Sequence, residues 1–563
     1  MNARRMAAAL GGALALALLT AGGPLARGAD EAPVAAMSRP LVPSLQGWAA
    51  QRPNIVVVMA DDMRVDDLLF APHVRRIVKR HGVTFENSFS PYPLCCPARA
   101  SFLTGMYSHN HKVYWHESPY AYAAFDDSRT IATSLRRAGY QTGFVGKYLN
   151  RYGIDVSLVS GRPSYRYVPN GWSRWVGAIE NPEVDGIHGG TYNYFDTPYN
   201  VDGVIDNSFR GRYQTSVVGD FSVDMVHRFT RDPRPFLMYV NFLAPHHGAP
   251  VERDDPPPYR DEFGQLQEYL TTARPDWVKG RFDDVVRRGA GMPRGGGPSE
   301  GDMSDKPAAF RRLLGVDRAA RSALTSITRQ RAEAVFVMDR QVARLVRTLR
   351  ATHEWADTWF VFTSDNGYFL GEHRKRQGKV FAHEPSLRVP LLITGPGHRS
   401  RERRYDPIST VDLTATVLDL ADARPPRPAD GLSRVPTIES GDRGWDVPIV
   451  TEAISTSGPS TAAWTGPRTS IGLRTARYSY TRYRNGQVEL YDMVADPLQL
   501  ASVHADPDYR SVRRTLRTVW QQLRDCRGAQ CRAAGPDSLS AGPVENRRVT
   551  AAYWRAVARV YGW

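Results

Sequence analysis

The sequence predicts an α/β fold: a large, mostly parallel sheet flanked by helices, followed by a smaller C-terminal subdomain. Short apolar runs rich in β-branched residues recur along the chain, and such runs are typical of parallel strands buried on both faces. Helical patterns lie between these runs, and strands that alternate with helices indicate a parallel sheet covered on both sides. Past residue 427 the pattern changes to short strands separated by Asp-Pro turns.

The strands of the large sheet are predicted from apolar runs that end abruptly in polar residues. These runs are Asn54–Ala60, Thr142–Val145, Pro235–Leu243 and Trp359–Thr363. A helix is predicted just before the last run, because apolar residues recur there at helical spacing. The residues of that stripe are Val335, Met338, Val342, Leu345 and Leu349.

The C-terminal subdomain is predicted from three short strand patterns followed by a helix. The strands are Ile471–Arg474, Tyr478–Thr481 and Glu489–Asp492, and the helix runs from about Tyr509 to Arg524. The predicted boundaries are a main α/β domain over 51–430, with an insertion or lid at about 253–320, and a subdomain over 431–534. For the tail, 535–563, no structure is predicted.

The N-terminus has the pattern of a secretory signal peptide over residues 1–28, followed by a Pro- and Ala-rich linker over 29–50. Two arginines precede an apolar run from Met6 to about Leu18, which is shorter than the ~20 residues that a membrane span needs. We therefore expect a secreted or extracytoplasmic protein with no stable membrane span. An uncleaved N-terminal anchor is the alternative.

The formal net charge of the chain is +15, and loss of Arg4, Arg5 and Arg27 with the leader would leave +12. A basic surface attracts polyanions, but the arginines are scattered and no nucleic-acid-binding motif is present, so we expect no nucleic-acid partner. The four cysteines include no zinc-type cluster. Cys526 and Cys531 would form a disulfide in an exported protein, or would remain two free thiols.

Oxygen ligands follow two of the predicted strands directly. Asp61 and Asp62 end the first strand, and Asp365 and Asn366 follow the strand at Trp359. Because ligands bind at the carboxyl ends of strands in such sheets, these side chains predict a site for a hard cation, Ca²⁺ or less favourably Mg²⁺. Helix caps and tight turns are the alternative explanation. Asp66 and Asp67 are interpreted as surface or helix-start residues.

The most informative stretch reads Leu-Cys-Cys-Pro-Ala-Arg-Ala-Ser-Phe-Leu-Thr-Gly, from Leu94 to Gly105. Pro97 suits the first turn of a helix that Gly105 can end, so Cys95 is placed at a helix N-terminus, which favours anions. The stretch resembles the signature of the sulfatase family, Cys-x-Pro-x-Arg followed by Thr-Gly. The spacing to Pro97 and Arg99 selects Cys95, and Cys96 is interpreted as packing.

The resemblance implies a mechanism and a set of roles. In that family a formylglycine-generating enzyme oxidises the signature cysteine, here Cys95, to formylglycine (3-oxoalanine), whose hydrate attacks sulfur and then releases sulfate. By the same resemblance Asp61, Asp62, Asp365 and Asn366 bind calcium, and modified Cys95 completes its coordination. Arg99 organises the aldehyde hydrate, Lys147 and Lys379 contact the sulfate, His246 protonates the leaving oxygen, and His373 and His383 are further candidates for substrate contact.

Several features resemble one branch of the family, that of the glucosamine-6-sulfatases and extracellular heparan 6-O-endosulfatases. They are the doubled cysteine, the Ser-His-Asn-His run at Ser108–His111, Ser-Asp-Asn-Gly-Tyr at Ser364–Tyr368, and Lys-Tyr-Leu-Asn at Lys147–Asn150. In the last motif Leu149 replaces a histidine that many sulfatases have. The resemblance implies that the C-terminal subdomain is an antiparallel sheet with a helix, and that the substrate is a sulfated sugar such as glucosamine 6-sulfate.

Three alternatives remain at this stage. One is an arylsulfatase of broad specificity, which acts on aryl sulfates. Another is a phosphonate or phosphate ester hydrolase on the same fold, although enzymes of that kind with two zinc ions need more histidine ligands than this sequence offers. The third is a non-catalytic glycan-binding protein.

Overall fold

The computed structural model describes residues 52–398, 401–454 and 467–562. The predicted signal peptide and linker lie outside these residues. The strands are β1 Asn54–Ala60, β2 Val83–Phe89, β3 Gln141–Lys147, β4 Arg174–Ala178, β5 Tyr199–Val201, β6 Val204–Asp206, β7 Phe236–Asn241, β8 Tyr259–Arg260, β9 Leu266–Gln267, β10 Thr358–Ser364, β11 Leu391–Thr394, β12 Glu402–Ser409, β13 Ile449–Ala453, β14 Ser470–Arg474, β15 Tyr478–Tyr483 and β16 Val488–Asp492. The α-helices are α1 Pro72–His81, α2 Cys95–Thr104, α3 Ser108–His111, α4 Ile131–Arg137, α5 Gln214–Phe229, α6 Ala308–Arg311, α7 Arg318–Ala351, α8 Glu384–Leu387, α9 Thr410–Leu420, α10 Val435–Ser440, α11 Arg510–Leu523 and α12 Pro543–Tyr561.

The main sheet has ten strands in the order β12-β2-β11-β10-β1-β7-β3-β4-β5-β6. Its centre, from β10 through β1, β7 and β3 to β4, is parallel throughout, while β11, β5 and β6 pair antiparallel with their neighbours. All four predicted strands are present, each within two residues of the predicted ends. The prediction of a large, mostly parallel sheet is confirmed.

Each face of the sheet is covered by its own hydrophobic core, as the continuous apolar runs require. Alternate residues of β1 divide between the cores: Ile55, Val57 and Met59 pack on one face, and Val56 and Val58 on the other. The first core includes apolar residues of α2, α4 and α9, and the second includes those of α5 and α7. The predicted stripe of α7 is buried in the second core, which explains its helical spacing.

The smaller sheet is antiparallel, with its four strands in the order β13-β14-β15-β16. Helix α11 packs on it through Leu516, Val519 and Trp520, so the predicted antiparallel subdomain with a helix is confirmed. Cys526 and Cys531 form a disulfide just after α11, which resolves the two alternatives. The tail, for which no structure was predicted, contains helix α12.

No helix of the described residues is both long and apolar enough to cross a membrane.

A buried charge network joins the small sheet to the segment that follows α2. His109 Nδ1 lies 2.9 Å from Glu452 Oε1, Arg468 Nη1 donates to the same oxygen at 2.7 Å, and His109 Nε2 lies 2.7 Å from the carbonyl oxygen of Cys526. Since both ring nitrogens of His109 face acceptors, the ring is an imidazolium. Burial alone would lower the pKa of His109, but Glu452 outweighs it and raises the pKa above its usual value.

We expect Glu452→Gln to destabilise the fold by about 3–5 kcal/mol at neutral pH, because it leaves two buried cations without their shared carboxylate. Burial raises the pKa of Glu452, but His109 and Arg468 lower it by more. The result is a pKa of about 2, against the usual 4.5. The stabilisation from this lowered pKa is therefore fully present above pH 4.5 and is lost as the pH falls through 2. Urea unfolding of wild type and variant at pH 7 and near the acid limit measures both effects.

The matched control for this change is Glu439→Gln, which alters an exposed glutamate at the end of α10. Its free energy of unfolding should stay within about 0.5 kcal/mol of wild type. Equal stabilities of the Glu452 and Glu439 variants at pH 7 would show that the network contributes nothing.

Candidate active site

Four neighbouring strands bring polar groups to the same edge of the main sheet. Asp61 and Asp62 follow β1, Asp365 and Asn366 follow β10, Lys147 ends β3, and the segment after β7 leads to His246. Each lies at a carboxyl end because β10, β1, β7 and β3 are parallel neighbours. All six side chains are buried, so their charges act on one another with little screening by water.

Cys95 is the first residue of α2, and its thiol lies within this group of charges. Sγ is 2.8 Å from Lys379 Nζ and 3.3 Å from Asp61 Oδ1. Burial first, and then the charge of Asp61, raise the pKa of the thiol to about 12. An unmodified Cys95 is therefore protonated at neutral pH and a poor nucleophile, despite its position at a helix N-terminus.

Arg99 lies one turn further along α2 and contacts the ends of all four strands. Nε donates to Asp365 Oδ2 at 2.8 Å, and Nη2 donates to Asp61 Oδ2 at 3.2 Å. Nη1 donates to the carbonyl oxygen of Lys147 at 3.0 Å and to Asn241 Oδ1 at 2.9 Å. These contacts use four of its five N–H groups, so Arg99 fixes the surrounding carboxylates and leaves little capacity to bind a substrate.

Asp62 and Asn366 have buried oxygens that suit a cation. Asn366 Nδ2 donates to Asp62 Oδ1 at 2.6 Å, but Asp62 Oδ2 and Asn366 Oδ1 are buried without a hydrogen-bond partner in the described chain. Asp61, Asp62, Cys95 and His246 each place a ligand atom within 4.8 Å of the others. An unsatisfied buried oxygen costs about 1–3 kcal/mol, and a hard cation with several oxygen ligands removes that cost. The oxygens of Asp62 and Asn366, with the Asp61 carboxylate beside them, therefore fit the predicted cation.

Two lysines reach the same centre from different elements. The Lys147 ammonium contacts Asp61 and lies 4.7 Å from the centre of the Tyr192 ring, and Lys379 contacts Asp62. Gly146 has φ of 100°, and a Cβ there would lie 1.9 Å from the carbonyl oxygen of Asn241, so only glycine lets β3 place Lys147 this close to β7.

His246 is buried, and its protonation follows from its contacts. Nδ1 lies 2.7 Å from the carbonyl oxygen of His247, so Nδ1 carries a proton, and Nε2 faces Asp62 Oδ2 at 3.6 Å. Burial first, and then the neighbouring His247 ring, lower the pKa of His246 well below its usual value. The ring is therefore neutral at pH 7 with its free electron pair on Nε2, and it must gain a proton there before it can donate one.

The structure brings together every predicted catalytic and metal residue. Within the described chain, neither His373 nor His383 is joined to this group. His373 is buried with Nδ1 2.7 Å from Glu300 Oε2, and its ring centre lies 4.7 Å from that of His383. His383 Nε2 lies 3.3 Å from Glu489 Oε1. Among the described residues, no hydrogen bond or ring contact joins either histidine to the groups around Cys95. Their role as substrate contacts stays a prediction.

Asp66 and Asp67 do start a helix, a short 3₁₀ turn, but the expectation of a surface position is wrong, since both are buried. Arg64 Nε donates to Asp66 at 2.8 Å and Arg331 Nη2 donates to Asp67 at 2.7 Å, and these charges make the burial tolerable. Arg331 also donates to the carbonyl oxygen of Asp62 at 2.6 Å, so this network fixes the backbone of a site residue.

Four site neighbours were missed by the sequence analysis. His247 stacks on His246 with ring centres 4.0 Å apart, and the ring of Tyr192 lies against the Lys147 ammonium. Asn241 accepts a hydrogen bond from Arg99, and Arg331 donates one to the carbonyl oxygen of Asp62. His247 stands beside a predicted site residue and Asn241 lies near the end of a predicted strand, so their positions were a usable signal. Tyr192 and Arg331 have no such signal in the sequence. Tyr192 lies in a loop, and Arg331 lies on the buried face of α7.

A family model described as Sulfatase matches residues 53–423, which is well over half of the chain. The chain belongs to the sulfatase family. A second model, described as N-sulphoglucosamine sulphohydrolase, C-terminal, matches residues 371–526, which include the small sheet.

Curated relatives include the branch that the sequence resembles. The chain is 29% identical over 403 residues to the extracellular sulfatase SULF-1 homolog of Drosophila melanogaster, which covers 70% of this chain and 32% of that protein. It is 30% identical to an arylsulfatase of Volvox carteri (67% and 56% covered) and 26% identical to the human N-acetylglucosamine-6-sulfatase (86% and 87% covered). The chain thus spans about a third to a half of the first relatives, and nearly all of the last. The predicted family and branch are confirmed.

Solved structures agree on the fold. The structure of BT4656 in complex with its substrate D-glucosamine-2-N,6-O-disulfate has a TM-score of 0.64 at 21% identity, and covers 86% of this chain and 98% of that one. A phosphonate monoester hydrolase of Agrobacterium radiobacter has a TM-score of 0.56 at 21% identity, and covers 87% and 99%. At this identity the likeness shows the shared fold alone.

We expect Ca²⁺ to raise the melting temperature of chelator-treated protein, because only the folded site gathers these ligands. At a Ca²⁺ concentration 100 times the Kd the stabilisation would be about 2.7 kcal/mol. Asn366→Ala should abolish the shift, whereas Asn485→Ala, which changes an exposed turn residue, should keep it. Differential scanning calorimetry with Ca²⁺, Mg²⁺ and EGTA makes the comparison, and a wild-type protein indifferent to both ions would rule out the cation site.

Proposed function

We propose that the protein hydrolyses sulfate monoesters, using a formylglycine made from Cys95 and a bound calcium ion, and that its substrates are sulfated sugars such as glucosamine 6-sulfate. The observation that carries the proposal is the position of the Cys95 side chain. It lies 2.8 Å from a lysine ammonium and 3.3 Å from a carboxylate, at the first turn of a fully buried helix. A nucleophile placed there would meet an anionic ester where positive charge is concentrated.

Conversion of Cys95 overcomes the weakness of its thiol. An aldehyde hydrate carries two hydroxyls on one carbon, so one can accept the sulfuryl group and the other can later expel it as sulfate. Lys379 and Asp61, which contact the thiol, are positioned to orient such hydroxyls and to hold their protons. We propose that a formylglycine-generating enzyme carries out the conversion before the chain folds, since Cys95 is only 2% exposed in the folded protein.

The cations around Cys95 suit a bound sulfate. Lys147 and Lys379 reach the centre from β3 and from the loop before α8, and the N–H groups at the start of α2 add to the positive potential. Arg99 uses four of its five N–H groups on protein acceptors, so we assign it the positioning of Asp61 and Asp365. The charge that develops as the S–O bond breaks would fall mainly on the two lysines.

Asp61, Asp62, Asp365 and Asn366 are the residues that would hold the cation. Three carboxylates and one amide oxygen are typical ligands of Ca²⁺, and the chain offers no cysteine cluster that would favour zinc. A bound Ca²⁺ would supply Lewis-acid polarisation of the nucleophile and would balance the buried negative charge.

His246 is the proposed proton donor to the leaving oxygen. Its Nδ1 is fixed by the carbonyl of His247, so a proton taken up by Nε2 is the one available for transfer. A bound sulfate ester would favour the charged ring, since its negative charge opposes the effect of burial on the His246 pKa.

Sulfated sugars are proposed as substrates because the relatives that cover most of the chain include N-acetylglucosamine-6-sulfatases, and BT4656 was solved in complex with its substrate D-glucosamine-2-N,6-O-disulfate. An aryl sulfate is a second substrate class, supported by the arylsulfatase of Volvox carteri. We also propose that the protein is secreted or extracytoplasmic. A signal peptide pattern, two relatives named extracellular, and a disulfide support this location.

Co-expression with a formylglycine-generating enzyme should convert Cys95, and mass spectrometry of its tryptic peptide should find –CHO in place of –CH₂SH. Cys95→Ser should accept one sulfuryl group from a ³⁵S-labelled sulfate ester and then stop, because serine has no second hydroxyl on the same carbon to expel sulfate. Rapid quench measures the labelled protein. An intact thiol at Cys95 in an active enzyme would overturn the proposed nucleophile.

Lys147→Met should lower kcat/KM for an aryl sulfate by about 10²–10³-fold, because it removes one of the two lysines that face the developing charge. Lys279→Met is the matched control, since Lys279 also pairs with a carboxylate but lies in the insertion. Steady-state kinetics on variants of equal melting temperature measures the difference. A Lys147 variant as active as the Lys279 variant would remove Lys147 from the site.

The same kinetic assay separates the alternatives. A sulfatase should turn over sulfate monoesters faster than phosphonate or phosphate esters of the same alcohol, and the reverse order would favour the phosphonate hydrolase. Sulfated glycan binding without any release of sulfate, in converted protein, would favour the non-catalytic alternative.

A further inference from the structure

The loop that carries Lys379, residues 371–379, has a backbone that needs support from outside. Gly371 and Gly378 have φ of 114° and 109°, and two residues with side chains, His373 and Arg374, have φ of 52° and 60°. Positive φ costs residues other than glycine about 1 kcal/mol or more, so it persists only where surrounding contacts hold it. The contacts of this loop therefore decide where Lys379 is placed.

The predicted insertion supplies those contacts. His373 Nδ1 lies 2.7 Å from Glu300 Oε2. Arg374 donates from Nε to the carbonyl oxygen of Glu300 at 3.0 Å and from Nη2 to that of Gly301 at 2.6 Å. Further along the loop, the Gln377 amide forms two hydrogen bonds with the backbone of Leu270, at 2.7 and 2.9 Å. The two positive-φ side chains are thus both held by Glu300 and its neighbour.

Glu300 is itself anchored away from the loop. Its second oxygen lies 2.7 Å from Lys306 Nζ, which also donates to Asp305 Oδ2 and to the carbonyl oxygen of Leu500, each at 2.7 Å. Leu500 follows β16, so the chain of contacts runs from the small sheet through Lys306 and Glu300 to the loop. Glu300, Lys306 and His373 are each at most 4% exposed, so these charged contacts are shielded from water.

We propose that Glu300 is a positioning residue for Lys379. By holding His373 and Arg374 in their positive-φ conformations, it fixes the loop so that the Lys379 ammonium points at Asp62 and at the Cys95 side chain. The insertion then fixes the position of one of the two lysines proposed to contact sulfate. We call this contact of Glu300 with His373 and Arg374 the clamp. This inference rests on the proposed function for the role of Lys379, but the clamp itself is independent of it.

The loop contains its own reporter, because Arg374, Lys375 and Arg376 are adjacent sites for trypsin. In the folded wild type the held backbone should resist cleavage. Glu300→Gln removes the charge that His373 and Lys306 share, so native-state proteolysis followed by mass spectrometry should find cleavage after these residues at least tenfold faster. Glu268→Gln, an exposed glutamate of the same insertion, should cleave like wild type.

The kinetic readout tests positioning separately from loop release. With 4-nitrophenyl sulfate as the probe, Glu300→Gln should raise KM and the Ki of inorganic sulfate in parallel, by about tenfold to a hundredfold, since displacement of a binding group by about 1 Å has an effect of that size. Glu268→Gln should change neither constant.

Two outcomes would overturn the proposal. One is a Glu300→Gln protein, folded by its melting temperature, whose loop cleaves no faster than that of Glu268→Gln. The other is a released loop with unchanged KM and unchanged sulfate Ki. If Glu300→Gln does not fold, Arg374→Gln replaces it, because Arg374 is half-buried and its loss leaves Glu300 paired with His373 and Lys306. A loop that is released in Glu300→Gln but held in wild type, together with a wild-type enzyme that turns over no sulfate ester, would refute the proposed function and leave the clamp.

Discussion

The guanidinium of Arg99 is the group on which the rest of the site depends. It is 1% exposed and bonds to the ends of β1, β10, β3 and β7 at once, through Asp61, Asp365, the Lys147 carbonyl and Asn241. Burial of a lone charge costs several kcal/mol, so this arrangement is stable only when all the acceptors are in place. One side chain of α2 thereby fixes the helix, and with it Cys95, against four strands.

The site combines buried positive and negative groups around the Cys95 side chain. Lys379 contacts the Cys95 side chain at a helix N-terminus, and Lys147 contacts the neighbouring Asp61. In the described chain, Asp62 Oδ2 and Asn366 Oδ1 are buried oxygens without a protein donor. The acidic half suits a cation and the basic half suits a sulfate. Burial and the charge of Asp61 raise the pKa of the Cys95 thiol, so the site favours a neutral group at this position over a thiolate.

Segments outside the main sheet hold the site from two sides. The disulfide loop and Glu452 of the small sheet bind His109 and Asn110, just after α2, and the insertion binds the loop of Lys379 through Glu300. The C-terminal sheet is thus connected by buried charge to α3, which follows α2. It is also connected to the loop of Lys379, through Lys306 and Glu300. These parts support the geometry of groups that they do not touch.

The sequence by itself determined four central strands of the sheet, their polar carboxyl ends and the predicted residues around Cys95. Buried parallel strands have continuous apolar runs, and their carboxyl ends must meet at one edge of the sheet. The sequence also determined the family, through the spacing of Cys95, Pro97 and Arg99. Only the tertiary structure decided how buried charges pair. Asp66 and Asp67 have the composition of a surface turn, and their burial depends on Arg331, more than 260 residues away. His373 stands six residues before Lys379 in the sequence, yet its contact is with Glu300 of the insertion. Such pairings join distant segments, and no local pattern records them because Coulomb attraction depends on distance in space and not on separation along the chain.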